Sequence, residues 1–172
     1  MLGGTTPETR MRTKTLARLA IAGLCASVLL AACGTTGVSR RVSEPAASIQ
    51  QLTVQADGSW SLDVRLNNYS AVAMRFHNLD LALQVDGQPA GALQASPGIA
   101  IGPESADIAS VALAPQPQAR MVMADALARG RAVRYELKGS IGAGPEGGNP
   151  RVWQVERSST LNPVPGLPGV LR

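Results

Sequence analysis

The sequence predicts a mainly β protein, an antiparallel β-sandwich with one short α-helix near residues 117–129. Apolar residues alternate with polar ones in several short segments, which is the period-2 pattern of half-buried strands. Asp-Gly pairs lie between such segments, where they favour tight turns between antiparallel strands. One segment, 119–127, has the 3.6-residue period of an amphipathic helix instead.

Two hairpins are predicted in the first half of the sandwich. The strand expected over residues 49–55 is followed by Asp57-Gly58, a pair that favours a hairpin turn. The next strand has the clearest alternation in the chain, with apolar residues at Trp60, Leu62, Val64 and Leu66. A second Asp-Gly pair, at 86–87, precedes a weaker strand over residues 88–96. Each turn should therefore join two neighbouring antiparallel strands.

Residues 72–85 contain two hydrophobic registers. Apolar side chains lie at even positions up to Phe76 and at odd positions from Leu79 onwards. One face of a strand cannot hold both sets unless an extra residue is inserted between them. The sequence therefore predicts a β-bulge or a short break at His77-Asn78.

A strand over residues 104–113 and the single helix follow. Pro117 suits the first turn of a helix, and Gly130 is at the position where a helix C-cap is expected. The helix has an apolar stripe that includes methionine, formed by Ala119, Val122, Met123, Ala126 and Leu127. Such a stripe is more often core packing than the lining of a ligand groove, so we expect it in the core.

The last predicted strands cover residues 133–138 and 151–157. Between them, residues 142–150 are rich in Gly and Pro and have no apolar anchor, which indicates a loop. The end of the chain, residues 161–172, is again rich in Pro and Gly and is predicted to be disordered.

The N-terminal residues have the pattern of a bacterial lipoprotein signal. Four basic residues precede an apolar run of about 12 residues, 19–30, which is shorter than the roughly 20 residues needed to cross a bilayer. The run ends in Leu30, Ala31, Ala32 and Cys33, which resembles the lipobox in which the cysteine thiol is acylated and becomes the new N-terminus. An uncleaved membrane anchor is the alternative, and translation could start at Met1 or Met11.

The expected domain organisation follows from this motif. Residues 1–32 are the signal peptide, 33–47 a flexible tether, 48–160 the sandwich domain and 161–172 the tail. Lipidated Cys33 would attach the protein to a membrane of the cell envelope, and more than one acyl chain makes such attachment stable. Gly34 follows Cys33, where enterobacterial lipoproteins retained in the inner membrane have Asp, so an outer-membrane protein facing the periplasm is expected.

The basic charge of the chain is concentrated in the signal. Four of the 16 Lys and Arg residues precede Cys33, but only one of the 12 acidic residues does. The remaining chain has 12 basic and 11 acidic residues, and therefore a net charge of +1. Nucleic-acid binding needs clustered basic residues and usually aromatic platforms. Because this chain has neither, that function is excluded.

The order of these elements resembles the late-embryogenesis-abundant type 2 domain, also called the water-stress and hypersensitive-response domain. The similar features are the strand over 60–68, the bulged strand over 72–85, the tight Asp-Gly turn, the short helix and the closing segment 133–139. The resemblance covers roughly residues 46–160. It implies a fibronectin-III-like or immunoglobulin-like sandwich without catalytic residues, associated with desiccation and stress protection and with contact to lipids or apolar ligands.

The sequence contains no pattern typical of an active site. His77 is the single histidine, and no second histidine or remaining cysteine can join it in a metal site. Asp63 and Asp80 lie opposite apolar positions and are expected to face solvent. No residues form the combination of nucleophile, base and orienting group that catalysis requires. We therefore expect a protein that is not an enzyme and has no metal or cofactor.

Two functions remain open from the sequence. The first is a structural or stress-protective envelope lipoprotein. The second is an accessory lipoprotein of an envelope transport or assembly machine that binds a lipid, another apolar ligand or a protein partner. The residues that would bind such a ligand are not identified by any motif.

Overall fold

A computed structural model gives the fold and describes residues 40–172. The predicted signal peptide and its motif, Leu30, Ala31, Ala32 and Cys33, lie outside the described residues. No helix within the described part of the chain has the length and hydropathy needed to cross a membrane.

Within residues 40–172 the structure has nine strands and one helix. In chain order they are β1 (Ala46–Val54), β2 (Trp60–Asn68), β3 (Met74–Val85), β4 (Gln88–Ala95), β5 (Ile99–Ile101), β6 (Ser105–Leu113), α1 (Pro117–Arg129), β7 (Val133–Pro145), β8 (Arg151–Leu161) and β9 (Val170–Leu171). One sheet has the order β6-β2-β1-β9, and the other has the order β4-β3-β7-β8, with β5 also paired to β3. All of these strand pairs are antiparallel, and the inward side chains of both sheets form one buried apolar cluster. The predicted β-sandwich with one short helix is confirmed.

Both Asp-Gly hairpins form as predicted. Asp57-Gly58 lies in the turn between β1 and β2, and Asp86-Gly87 lies between β3 and β4. Asp86 has a φ of 45° and Gly87 a φ of 77°. Two consecutive left-handed residues are the geometry of a type I′ turn, in which Asp and Gly are favoured.

The predicted bulge in β3 is also confirmed. The pairing of β3 with β7 shifts register between Phe76 and Asn78, and His77 is left exposed without a partner. Because of this extra residue, both Phe76 and Leu79 are buried although their sequence positions have opposite parity.

The helix has the predicted bounds and the predicted buried face. Ala119, Met123 and Ala126 are buried, so this part of the stripe packs in the core. Gly130 has a φ of 63°, and its N–H reaches the last carbonyl groups of the helix.

The Gly/Pro segment after residue 142 differs from its prediction as a loop. Strand β7 continues to Pro145, and Ile141 to Gly144 are buried. The glycines are needed there because other chain segments come close: a Cβ on Gly142 would clash with the Asn78 side chain, and one on Gly144 would lie 2.6 Å from the Asn149 carbonyl oxygen. These glycines therefore lie where another chain segment comes close to the backbone, and they do not form a turn.

The C-terminal residues are ordered, which corrects the prediction of a disordered tail over 161–172. Strand β9 pairs with β1, and Leu171 is fully buried. Asn162 and Arg172 exchange two backbone hydrogen bonds of 2.6 and 2.9 Å, and Val54 N–H donates to the Gly169 carbonyl at 2.8 Å. These bonds use N–H groups of residues that are not proline, so the prolines of the tail do not prevent pairing.

The end of the predicted tether, within 33–47, is also part of the domain. Ser43 N–H donates to Ser70 Oγ at 3.0 Å, and Ala71 N–H donates to the Arg41 carbonyl at 2.9 Å. Strand β1 begins at Ala46, and Ala47 is buried. Residues 41–47 therefore lie against the sandwich instead of forming a free spacer.

Candidate functional site

The strands give the sandwich two distinct ends. Residues 40–46, 69–73, 96–104 and 145–150 form the end at which the N-terminal segment enters, which we call the tether end. Residues 55–59, 86–87, 114–132 and 162–172 form the opposite end, which we call the helix end because it includes α1.

The helix end has a groove between α1 and the C-terminal tail. This helix–tail groove has a volume of about 470 Å³, and all nine residues that line it are nonpolar. Its apolar side chains include Leu127 at the end of the helix, with Val164, Leu167 and Val170 on the tail. Leu167 is 49% exposed. The groove is therefore an open apolar surface on which an apolar group could be buried.

Local turns in the tail shape one wall of this groove. Val164 N–H donates to the Val170 carbonyl at 2.9 Å, and Leu167 N–H donates to the Val164 carbonyl at 3.1 Å. Gly166 has a φ of 79°, a conformation that favours glycine. The tail thus folds back on itself and presents Leu167 towards solvent next to the helix.

A smaller apolar depression lies beside the groove. It has a volume of about 210 Å³ and includes Trp60 and Met123, both nearly fully buried, with Arg120 as its one charged residue. Leu127 lines both this depression and the helix–tail groove. The two together extend the apolar surface of the helix end from the tail to the start of β2.

Several charged groups around the helix end are held in ion pairs. Arg131 Nη1 lies 2.6 Å from Asp86 Oδ2, and Arg129 Nε lies 2.7 Å from Asp125 Oδ1. The hydrogen bond from Arg131 to Asp86 raises the pKa of the guanidinium above its ordinary value. These four side chains pair with one another, and none of them is among the residues that line the helix–tail groove.

The tether end is built around a buried polar side chain, Asn68, at the end of β2. Its Nδ2 lies 2.8 Å from the Val72 carbonyl oxygen, 3.0 Å from that of Ile101 and 2.8 Å from that of Gly102. Its Oδ1 accepts a hydrogen bond from Ser70 N–H at 2.9 Å. Asn68 therefore holds together the loops after β2 and β5.

A second pocket of about 470 Å³ lies at the tether end, between the first described residues and the loop after β7. Arg40 and Glu146 are among the residues that line it. Glu146 Oε1 also lies 2.6 Å from Arg75 Nη2. This pocket is more polar than the helix–tail groove.

The residues singled out from the sequence are not brought together. Asp63 Oδ1 accepts a hydrogen bond from Ser110 Oγ at 2.7 Å, while His77 and Asp80 are exposed. Within residues 40–172 there is no group of three His, Cys, Asp or Glu residues that could hold a metal ion. Cys33 lies outside the described residues. No local residue pattern predicts the groove or the hydrogen bonds of Asn68, because both depend on contacts between segments that are distant in sequence.

No family model and no curated protein matches this chain. Solved structures are similar to this chain, among them the following two. A protein from Archaeoglobus fulgidus is 13% identical, with a TM-score of 0.43, over 72% of this chain and 98% of its own. A protein from Arabidopsis thaliana, known from a solution structure, is 10% identical, with a TM-score of 0.46, over 71% of this chain and 79% of its own. Both similarities are too distant to transfer a function.

Proposed function

We propose that this protein is a membrane-anchored lipoprotein of the cell envelope, with a non-catalytic sandwich that has a structural or stress-protective role. Residues 1–32 are the signal peptide, and Cys33 is the acylated N-terminal residue of the mature protein. The lipobox-like motif Leu30-Ala31-Ala32-Cys33 supports the anchor. The protein faces the periplasm, from the outer membrane.

The observation that carries this proposal is how near the domain begins to Cys33. Only residues 34–39 separate Cys33 from Arg40, the first described residue, and residues 41–47 already contact the sandwich. A link this short would hold the folded domain near the lipid. An ordered domain held at the membrane suits a structural or protective role in the envelope.

Both ends of the domain chain are fixed, which suits a protein that must remain folded under stress. Ser43 is bonded to Ser70 at the start of the domain, and Arg172 is bonded to Asn162 at its end. Segments at the edges of a domain are common starting points for local unfolding, so these hydrogen bonds limit that route.

Survival after drying tests the protective role. A strain without the gene should survive drying less well than its parent, and the wild-type gene should restore survival. Cys33→Ala should not restore it, because the domain is no longer anchored. Cys25→Ala is the matched control, since it changes the other cysteine of the chain within the signal and leaves the acylation site intact. Equal survival of all strains would contradict the protective role.

The helix–tail groove favours a second function, the binding of a lipid or another apolar ligand, or of a partner in an envelope transport or assembly machine. The residues that line the groove are all nonpolar, and the groove lies at the end of the sandwich opposite the tether. An anchored domain would then present this groove away from its own attachment site.

A fluorescent fatty acid tests this second function. The mature protein should bind the probe, and Leu167→Asp should weaken binding because it places a charge in the groove. Met121→Asp is the control, because Met121 is 66% exposed on α1 and does not line the groove. Failure to bind the probe, or equal binding by both variants, would contradict apolar-ligand binding in the groove.

A further inference from the structure

We infer that the tether end of the sandwich rests on the anionic headgroup surface of the membrane, with Tyr69 at the level of the headgroups. This inference rests on the proposed function, because it requires acylated Cys33. It adds an interaction surface and an orientation of the domain, which the anchor alone does not determine.

The length of chain before the domain sets how far the tether end can move from the lipid. The chain from Cys33 to Arg40 comprises seven links, which span at most about 25 Å when fully extended. The tether expected over residues 33–47 is therefore about half as long as its sequence predicted, because residues 41–47 belong to the domain. The interfacial layer of each leaflet is about 5–8 Å thick. The tether end therefore cannot move further than about 25 Å from the lipid, and the headgroups lie within its reach.

Tyr69 is the exposed aromatic residue of this end. It lies in the loop after β2 and is 53% exposed, while its neighbours Asn68 and Ser70 are buried and hold the loop in place. Tyrosine is favoured at the interface between membrane and water because its ring is apolar and its hydroxyl is polar. A fixed loop thus presents a side chain suited to the headgroup layer.

The charges of this end are suited to anionic lipids. Arg41 lies 3.6 Å from Glu104 and Arg75 lies 2.6 Å from Glu146, so two of the glutamates are partly neutralised. Within the ranges that define the tether end, the exposed charges are Arg40 and Arg41 with Glu44, Glu104 and Glu146. Arg75 and Arg151 lie at the starts of the bordering strands β3 and β8. With these two included, there are four arginines and three glutamates, an excess of one positive charge.

In a protein without the lipid anchor, one exposed tyrosine and an excess of one positive charge would bind a membrane only weakly. The anchor changes this, because a short linker gives an effective concentration on the order of millimolar. A contact with a dissociation constant in the millimolar range is then occupied for a substantial part of the time. The covalent anchor therefore allows a surface of low affinity to be bound to the membrane for much of the time.

Fluorescence quenching tests the orientation. The acylated mature protein is reconstituted into phosphatidylcholine and phosphatidylglycerol vesicles with nitroxide-labelled headgroups. A fluorophore is attached at Pro103→Cys or at Met121→Cys, since Pro103 is exposed beside the Glu104 that bonds Ser70 and Met121 is exposed at the helix end. Cys25 is removed with the signal and Cys33 is acylated, so the new cysteine is the one thiol available. We expect quenching at 103 and none at 121.

Side-chain variants in the protein labelled at position 103 identify the contact. Tyr69→Ser should reduce the quenching, and Arg40→Ser should lower the ratio of docked to free domain about fivefold on anionic vesicles. Arg129→Ser at the helix end is the control and should change nothing. Equal quenching at 103 and 121, or none at 103, in protein whose mass shows acylation would overturn the docking and leave the anchor intact. A mass without acyl groups would overturn the proposed function itself.

Discussion

The Tyr135 hydroxyl on β7 accepts a hydrogen bond of 3.1 Å from the Ile49 N–H on β1, and so connects the two sheets inside the core. Strand β1 has a register shift between Ile49 and Gln51, and β9 pairs with β1 at Leu52 and Thr53, beyond this point. The Ile49 N–H therefore receives its acceptor from a side chain of the opposite sheet. The contact satisfies a buried backbone donor that would otherwise be unpaired.

Tyr135→Phe should destabilise the domain by about 1–3 kcal/mol, because it removes the acceptor and leaves the Ile49 N–H buried without a partner. Urea unfolding of the mature protein measures the effect. Tyr69→Phe removes the same hydroxyl from an exposed side chain and should be close to neutral. Equal stability of the two variants would show that the bond between the sheets contributes little.

Asn68→Ala should cost about 2–4 kcal/mol, because the carbonyl groups of three residues and the Ser70 N–H lose their partner at the tether end. Asn67→Ala is the adjacent control, since Asn67 is half-buried and its side chain contacts Arg65 instead of the loop backbone. Thermal unfolding followed by circular dichroism compares the two. A larger loss for Asn67→Ala would contradict the role given to Asn68.

Leu171→Ala should destabilise the domain by about 2–4 kcal/mol, because it leaves a cavity under β9. Leu167→Ala makes the same change at a side chain that is 49% exposed, and should cost much less. Chemical denaturation measures both. If the two variants were equally stable, the tail would not contribute to the core.

The pKa of the Asp57 carboxyl is held below its ordinary value, mainly by the hydrogen bond from the Ser59 hydroxyl at 2.6 Å and then by that from the Ser59 N–H at 2.8 Å. A lowered carboxyl pKa stabilises the folded state above the ordinary aspartate pKa of about 3.9, and this contribution is lost as the pH falls through the lowered value. Ser59→Ala should therefore raise the pKa of Asp57.

Carbon-detected NMR titration of the Asp57 carboxyl measures this change. Ser61→Ala removes a hydroxyl two residues further along, on β2, and serves as the control. An unchanged Asp57 pKa in Ser59→Ala would mean that the hydroxyl is not the main cause of the shift.

Features determined by short-range patterns were predictable from the sequence. The Asp86-Gly87 turn, the bulge at His77 and the helix over Pro117–Arg129 each follow from residue types within a few positions of one another. Such local rules do not need the positions of distant segments.

Features determined by distant contacts were not predictable. Leu171 is one apolar residue in a Pro- and Gly-rich segment, and no local period shows that it pairs with Leu52. Asn68 reads as the end of a strand, although its partners Ile101 and Gly102 lie 33 and 34 residues away. The tail forms one wall of the helix–tail groove. Because the tail was predicted to be disordered, the groove could not be predicted either.

The intact mass of protein extracted from membranes tests the membrane anchor most directly, with wild type compared with Cys33→Ala. The wild-type mass should equal residues 33–172 plus acyl groups, and this species should be lost in the variant. An unprocessed mass without acyl groups in the wild type would contradict the account, because residues 19–30 would then not be a cleaved signal and the domain would not be held at the membrane through Cys33.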